Sequence, residues 1–371
     1  MTRVAIVHFS PIELYPPLLN LVRTVENEVN ITNHDINILT TSQSLNTPHI
    51  FTPHSSNIKI TRLSKSGSQL RSISRYWNYL KFFVKSLFIL IKQQPQNILY
   101  YETSSSAPVF FYKRFVNKSC SVMIHYHEYT APIEYIGISK YLHRLEMYLY
   151  PRSSWVSHTN RFRMNFFIKD IAPIRLPNPQ IVKNYPPKFW QRKPNEFINS
   201  PLKIVYVGAL GLSSMYVSEF ANWVVDQKGK VIWDIYALVY SKEVESFFNS
   251  LNSEYIKLNP SVDYFNLPSI LKNYDVGIIL YKGIIVNQVY LEPNKLFEYL
   301  TIGLDVWFPI ELIGSLGFVS NDYSPKVIPI DFNKLEEANL TEIILKKEKI
   351  IMHNFACENE LSALLSQLFS Y

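Results

Sequence analysis

Short apolar runs rich in β-branched and aromatic residues alternate along the chain with longer segments whose apolar positions recur at helical spacing. This is the pattern of a parallel sheet covered by helices, and it sets the fold class as α/β. In the first half the pattern predicts strands near residues 4–9, 36–40, 58–62, 98–102 and 121–125, with helices over about 17–28, 74–93, 108–116 and 139–150. A second series begins at Lys203-Ile204-Val205-Tyr206-Val207-Gly208 and predicts further strands near 231–239, 255–258, 275–281, 306–308 and 326–330.

Between the two series the texture changes. Pro177, Pro179, Pro186, Pro187, Pro194 and Pro201 interrupt any periodicity, which reads as a linker. A chain of 371 residues also exceeds what one hydrophobic core usually serves. The expected organisation is a first domain over 1–176, a linker over 177–202, a second domain over 203–350, and a C-terminal helix over 351–371 that packs back on the first domain. In open parallel sheets ligands meet the carboxyl ends of the strands, so two such domains are expected to face a cleft.

Composition narrows the classes. Hydrophobic residues make up 47% and charged residues 18%, enough apolar material for two cores and too little charge for a disordered chain. Residues 1–176 hold 20 Lys+Arg against 9 Asp+Glu, a net +11, whereas the remainder holds 17 against 21, a net −4. The basic half suggests an anionic partner: a membrane surface, a phosphorylated lipid acceptor or nucleic acid. Nucleic acid is disfavoured, because the basic residues are dispersed and no recognition motif interleaves them with stacking aromatics. The N-terminal run lacks the long apolar stretch and cleavage site of a signal peptide, and Cys120 and Cys357 are too few for a disulfide framework. A reducing cytoplasm is the expected compartment, with the protein peripheral on the inner face of the membrane.

Candidate chemistry concentrates in the second half. Gly208 ends a strand and leads toward a helix expected near Ser213, a turn whose amides can face a diphosphate. Further on, Glu292-Pro293-Asn294-Lys295-Leu296-Phe297-Glu298-Tyr299-Leu300-Thr301-Ile302-Gly303 reads as a short helix with proline at its start and glycine at its end. Lys295 and Glu298 are three apart and share a face, a cation for phosphate oxygens beside a carboxylate for ribose hydroxyls. Leu296 and Leu300 face the other way.

The run Pro-x-Lys-Leu-x-Glu-Tyr-Leu-x-x-Gly resembles the donor-site helix of the large retaining glycosyltransferase family with the GT-B fold, two Rossmann-like domains facing a cleft. Gly208 falls at that family's first C-domain loop, Tyr274-Asp275-Val276-Gly277-Ile278 is similar to its next-to-last donor-domain strand, and Ser157 with Arg161-Phe162-Arg163 and Leu176-Pro177-Asn178-Pro179 resembles its approach to the linker. Two departures stand out. Tyr290 occupies the place of the family's second glutamate, with Glu292 out of register, and the loop Ala209-Leu210-Gly211-Leu212-Ser213-Ser214 has none of the usual Arg or Lys. The resemblance then leaves diphosphate neutralisation to Lys295, Lys282 and backbone amides, with Asn294 and Leu296 completing the donor site.

In the first half, His125-Tyr126-His127-Glu128 follows a strand and resembles the family's His-acidic pair, with His127 as the residue facing the donor sugar and Glu128 its acidic partner. Histidines at i and i+2 also share a strand face as metal ligands do, but no third ligand is identifiable. The segment 75–92 reads as a basic amphipathic helix, with Arg71, Asn78, Lys81, Lys85 and Lys92 near one face and a wide aromatic side that fits either a bilayer interface or the sheet. The resemblance implies a UDP- or GDP-sugar as co-substrate, no other cofactor and no metal, and transfer of a hexosyl or related group to a lipid-linked or polysaccharide acceptor. A non-hydrolysing nucleotide-sugar epimerase and a catalytically silent sugar-nucleotide or glycan-binding subunit are the alternatives on the same fold.

Overall fold

The computed structural model describes residues 2–29, 31–43, 50–66, 72–194, 200–237, 240–337 and 349–369. Arg71 and the end of the 231–239 segment, Leu238 and Val239, lie outside the described residues. The chain divides into two compact units, Met1–Lys183 together with Cys357–Tyr371, and Asn184–Ala356.

The first unit is built on seven strands: β1 (Thr2–Pro11), β2 (His34–Gln43), β3 (Ile58–Ser66), β4 (Asn97–Tyr101), β5 (Ser121–Tyr126), β6 (Trp155–His158) and β7 (Pro179–Ile181). They pair in the order β3-β2-β1-β4-β5-β6-β7, all in parallel. The second unit carries β8 (Leu202–Val207), β9 (Val231–Tyr236), β10 (Ile256–Asn259), β11 (Val276–Ile278), β12 (Asp305–Pro309) and β13 (Val327–Ile330), in the order β10-β9-β8-β11-β12-β13 and again parallel. The class is α/β with two parallel-sheet domains. In both sheets the order reverses beside the first strand, at β1/β4 and at β8/β11, which gives each unit a topological switch point.

Central strands are covered on both faces, so β4 and β12 are buried throughout and read as continuous apolar runs. The last helix, Cys357–Phe369, lies in the first unit, where Asn97 Nδ2 donates to the Leu368 carbonyl (2.8 Å) and Gln367 Nε2 to the Ser154 carbonyl (2.9 Å).

The structure corrects the sequence reading in three places. The helix after Gly208 begins at Val217 rather than near Ser213. Met215 forms an antiparallel bridge with Tyr281, and the Tyr216 amide donates to the Leu280 carbonyl, so residues 215–216 are tied to the 280–281 segment and the helix starts after them. The 275–281 strand is regular only over Val276–Ile278. The strands Trp155–His158 and Pro179–Ile181 had no sequence signal, being four and three residues long with polar or proline positions that break alternation.

Candidate functional site

Gly208 closes β8 at the switch point of the second unit with φ +132°, a backbone region that side-chain-bearing residues rarely adopt. A Cβ there would stand 2.9 Å from the Lys295 ammonium, so glycine is what lets the cation sit against this turn. The turn is tied down by Tyr206, whose hydroxyl donates to the Ala209 carbonyl (2.6 Å), and by the Gly208 amide, which donates to the Tyr236 carbonyl (3.1 Å).

Lys295 reaches the turn from helix Asn294–Ile302, whose first turn no side chain caps; its amide end is a place where an anion is favoured. The helix is anchored by Tyr299. Its hydroxyl accepts the Val207 amide of β8 (3.2 Å), and its ring lies so close to β11 that a Cβ on Gly277 would be 2.1 Å from a ring carbon. Gly303 ends the helix in the left-handed conformation (φ +91°).

Lys295 is half-buried, its ammonium over the Tyr206 and Tyr281 rings at 5.4 and 5.6 Å and donating to the Tyr281 hydroxyl (3.3 Å). Burial works against its charge, but Tyr281, Tyr206 and Glu298 outweigh it, and the ammonium is held above its ordinary pKa. Glu298 differs from the sequence expectation of an open polar face: it is buried, 6% exposed. Burial pushes its carboxyl up to about 7 even though Lys295 pulls the other way, and no hydrogen-bond donor meets it among the described residues. Lys295 and Glu298 thus stand as a cation and a carboxyl on one helix beside an unusual glycine turn.

The other residues of the sequence reading are placed less uniformly. Asn294 opens the helix half-buried, and Leu296 is fully buried in the core behind it. Lys282 lies on the strand exit next to Tyr281, but its ammonium pairs with Glu219 (2.8 Å) and sits over the Tyr216 ring; it is engaged by the protein itself. Tyr290, in place of the second glutamate, is half-buried, and its backbone packs against Gly314 so tightly that a Cβ there would be 2.4 Å away.

In the first unit the switch point gathers a different set. His127 and Glu128 follow β5, with 3.8 Å between His127 Nε2 and Glu128 Oε1. Glu102, at the exit of β4, organises their turn: its Oε1 accepts the His127 amide (2.7 Å), the Glu128 amide (3.2 Å) and the Tyr15 hydroxyl (3.1 Å). Its backbone has φ +63°, a conformation costing on the order of 1–3 kcal/mol for a residue with a side chain. Burial, with Glu128 adding to it, raises the Glu102 carboxyl to about 8. Arg163, almost fully buried, holds the turn from behind by donating to the His127 carbonyl and lies 3.4 Å from Glu128 Oε2. His125 is buried rather than paired with His127 as a ligand: its Nδ1 bonds Ser157 Oγ (2.8 Å), and burial lowers its pKa to about 3. Among the described residues no three His, Cys, Asp or Glu side chains are grouped so as to hold a metal ion.

No family model matches the sequence, and no curated protein matches it. Solved structures do. Sucrose-phosphate synthase from Thermosynechococcus elongatus superposes with a TM-score of 0.67 at 12% identity over 100% of this chain and 99% of that one. Anabaena Alr3699/HepE in complex with UDP-glucose gives 0.60 at 11% identity over 100% and 96%. UDP-GlcNAc 2-epimerase from Methanocaldococcus jannaschii gives 0.57 at 12% identity over the whole of both chains. The chain has the GT-B fold. Within that fold, the sequence reading reached Gly208, Lys295 and Glu298 at the second switch point and His127 and Glu128 at the first. It missed Tyr15, Glu102 and Tyr281. Glu102 had one available signal, a carboxylate at the carboxyl end of a parallel strand.

Proposed function

We propose that the protein is a glycosyltransferase that moves a sugar from a UDP- or GDP-sugar to a glycan or lipid-linked acceptor with retention. The carrying observation is the meeting of the Gly208 turn, the Lys295 ammonium and the Glu298 carboxyl at the switch point of the second unit. In this reading the diphosphate lies against the Gly208 turn and the uncapped start of helix Asn294–Ile302. Lys295 and the helix amides stabilise the negative charge that develops on the diphosphate as its bond to the anomeric carbon breaks and the acceptor oxygen takes its place. Glu298, which no hydrogen-bond donor meets among the described residues, accepts the ribose hydroxyls. The nucleotide-bound structure with the same fold, solved with UDP-glucose, supports a nucleotide sugar as co-substrate. In the first unit, His127 is the residue read as hydrogen-bonding a sugar hydroxyl, with Glu102, Glu128 and Arg163 fixing its turn.

Calorimetric titration with UDP and GDP tests this. Lys295→Met should bind the preferred nucleotide roughly tenfold or more weakly, as expected for a charge-assisted contact, with an unchanged melting temperature. Equal affinity would move the donor site away from this helix. The similarity to a UDP-GlcNAc 2-epimerase over the full length favours one second reading, epimerisation of the donor. Incubation with UDP-sugars in the absence of acceptor separates the two, since an epimerase returns an altered sugar nucleotide and a transferase does not.

A further inference from the structure

Helix Ser72–Gln93 has more apolar surface than its sheet needs. Phe82, Ser86 and Leu90 are buried against the first unit, which accounts for one face. On the opposite side Ile73, Trp77, Val84, Phe88 and Ile91 are all exposed, Trp77 at 62% and Phe88 at 66%. At helical spacing these five fall within an arc of about 60°. Lys81, Lys85 and Lys92, also exposed, follow beside them in a second stripe about 40° wide. The helix contains no acidic residue.

The neighbouring segment repeats this chemistry. Phe83 meets Phe111 (ring centroids 5.4 Å), which meets Phe115 (5.8 Å). Phe115 is 68% exposed, with Arg114 and Lys118 exposed near it. A groove of about 380 Å³ is lined by Leu63, Val84, Lys85, Phe88 and Ile89, one cation among apolar side chains.

We propose that this face docks the protein on an anionic phospholipid bilayer, with the Trp77–Phe88 stripe at the acyl boundary and the lysine stripe on the headgroups. The charge pattern selects this occupant. Exposed aromatics flanked by cations match a surface that is apolar below and negative above, whereas a second copy of the same helix would bring lysines and no carboxylate to meet them. No helix among the described residues is long and apolar enough to cross a membrane, so the mode is lying on the surface. The inference bears on the acceptor of the proposed reaction, but it uses no nucleotide and stands or falls separately from the donor site.

Sedimentation with phosphatidylcholine vesicles, with and without phosphatidylglycerol, tests it. The unaltered protein should bind the anionic vesicles at low salt and lose them as salt rises. The triple variant Lys81→Gln, Lys85→Gln, Lys92→Gln should bind roughly a hundredfold more weakly at the increment typical of a lysine near an anionic surface. Trp77→Ser with Phe88→Ser should lower binding at every salt concentration, since it removes the apolar contribution. Absence of binding to anionic vesicles at low salt overturns the proposal, as does equal binding by the unaltered protein and both variants. A dimer that Trp77→Ser with Phe88→Ser disperses, in a protein that ignores vesicles, overturns it in favour of a second copy. The salt dependence of the unaltered chain is informative without either variant.

Discussion

Glu298 places a carboxyl where its charge is costly. Its pKa is raised to about 7 by burial, so between the ordinary carboxyl range and about pH 7 the folded chain holds a proton that the unfolded chain has released. Stability from this group is therefore present below the unfolded value and is lost as pH rises through about 7. Glu298→Gln removes that loss. At pH 8 the variant should be more stable than the unaltered protein by at most about 3 kcal/mol, the difference should fade toward pH 5, and thermal unfolding across this range measures it. Nucleotide affinity should move the other way, because hydroxyls that donate to a carboxylate favour its ionised form and the unaltered site should weaken below about pH 7. The shared face of Lys295 and Glu298 was legible from a spacing of three. Their burial was not, because the rings that enclose the ammonium come from Tyr206 and Tyr281, on other segments. Glu102 could be placed at a strand end, but its role was not legible for a related reason: it accepts from backbone amides 25 and 26 residues onward, and no side-chain pattern announces them.

At the scale of elements, the candidate donor site is a matter of how helix Asn294–Ile302 is seated. Periodicity gave that helix and its glycine stop, whereas the segment before Val217 was read as helix because its hold, the pairing of Met215 with Tyr281, is non-local. Seating depends on Gly277. Its strand β11 is hydrogen-bonded to β8 on one side and β12 on the other, so it has no room to retreat, and Tyr299 is held in turn by the Val207 amide. Gly277→Ala should therefore cost roughly 1–3 kcal/mol or more, as overpacking does, and should weaken nucleotide binding by tilting Lys295 away from the Gly208 turn. Tyr299→Ala alone should also destabilise. The two together should cost less than their sum, since the clash disappears with the ring, and a double-mutant cycle by denaturant unfolding reads that coupling. Strict additivity would mean that the glycine answers to something other than the tyrosine.

At the scale of the whole molecule, two sheets are built in succession whose first six strands share one order, the first sheet carrying a seventh, and the first is completed by the last helix. The alternation of apolar runs made both sheets legible; β6 and β7, at the far edge of the first, were not read, because Ser157, His158 and Pro179 interrupt their apolar positions. Helix Cys357–Phe369 brings Leu361, Leu364, Leu365 and Leu368 into burial and supplies the carbonyl and amide partners of Asn97 and Ser154. Thr24 and Cys357 also meet, at 3.7 Å. Burying four leucines contributes roughly 6–12 kcal/mol by transfer values, an upper figure because the unfolded chain is itself partly compact. That is comparable to the whole stability of an ordinary domain. A chain ending at Ala356 should consequently lose the cooperative unfolding of the first unit, or show it at a much lower temperature. The second unit contains none of these leucines, so its own transition should remain and, if the donor reading holds, should still rise when UDP or GDP is added. Scanning calorimetry with and without nucleotide separates the two: a nucleotide-responsive transition retained beside a lost one is the expected trace. Two transitions at their original temperatures would mean that the leucines are dispensable to the first unit and that its core is complete without the helix.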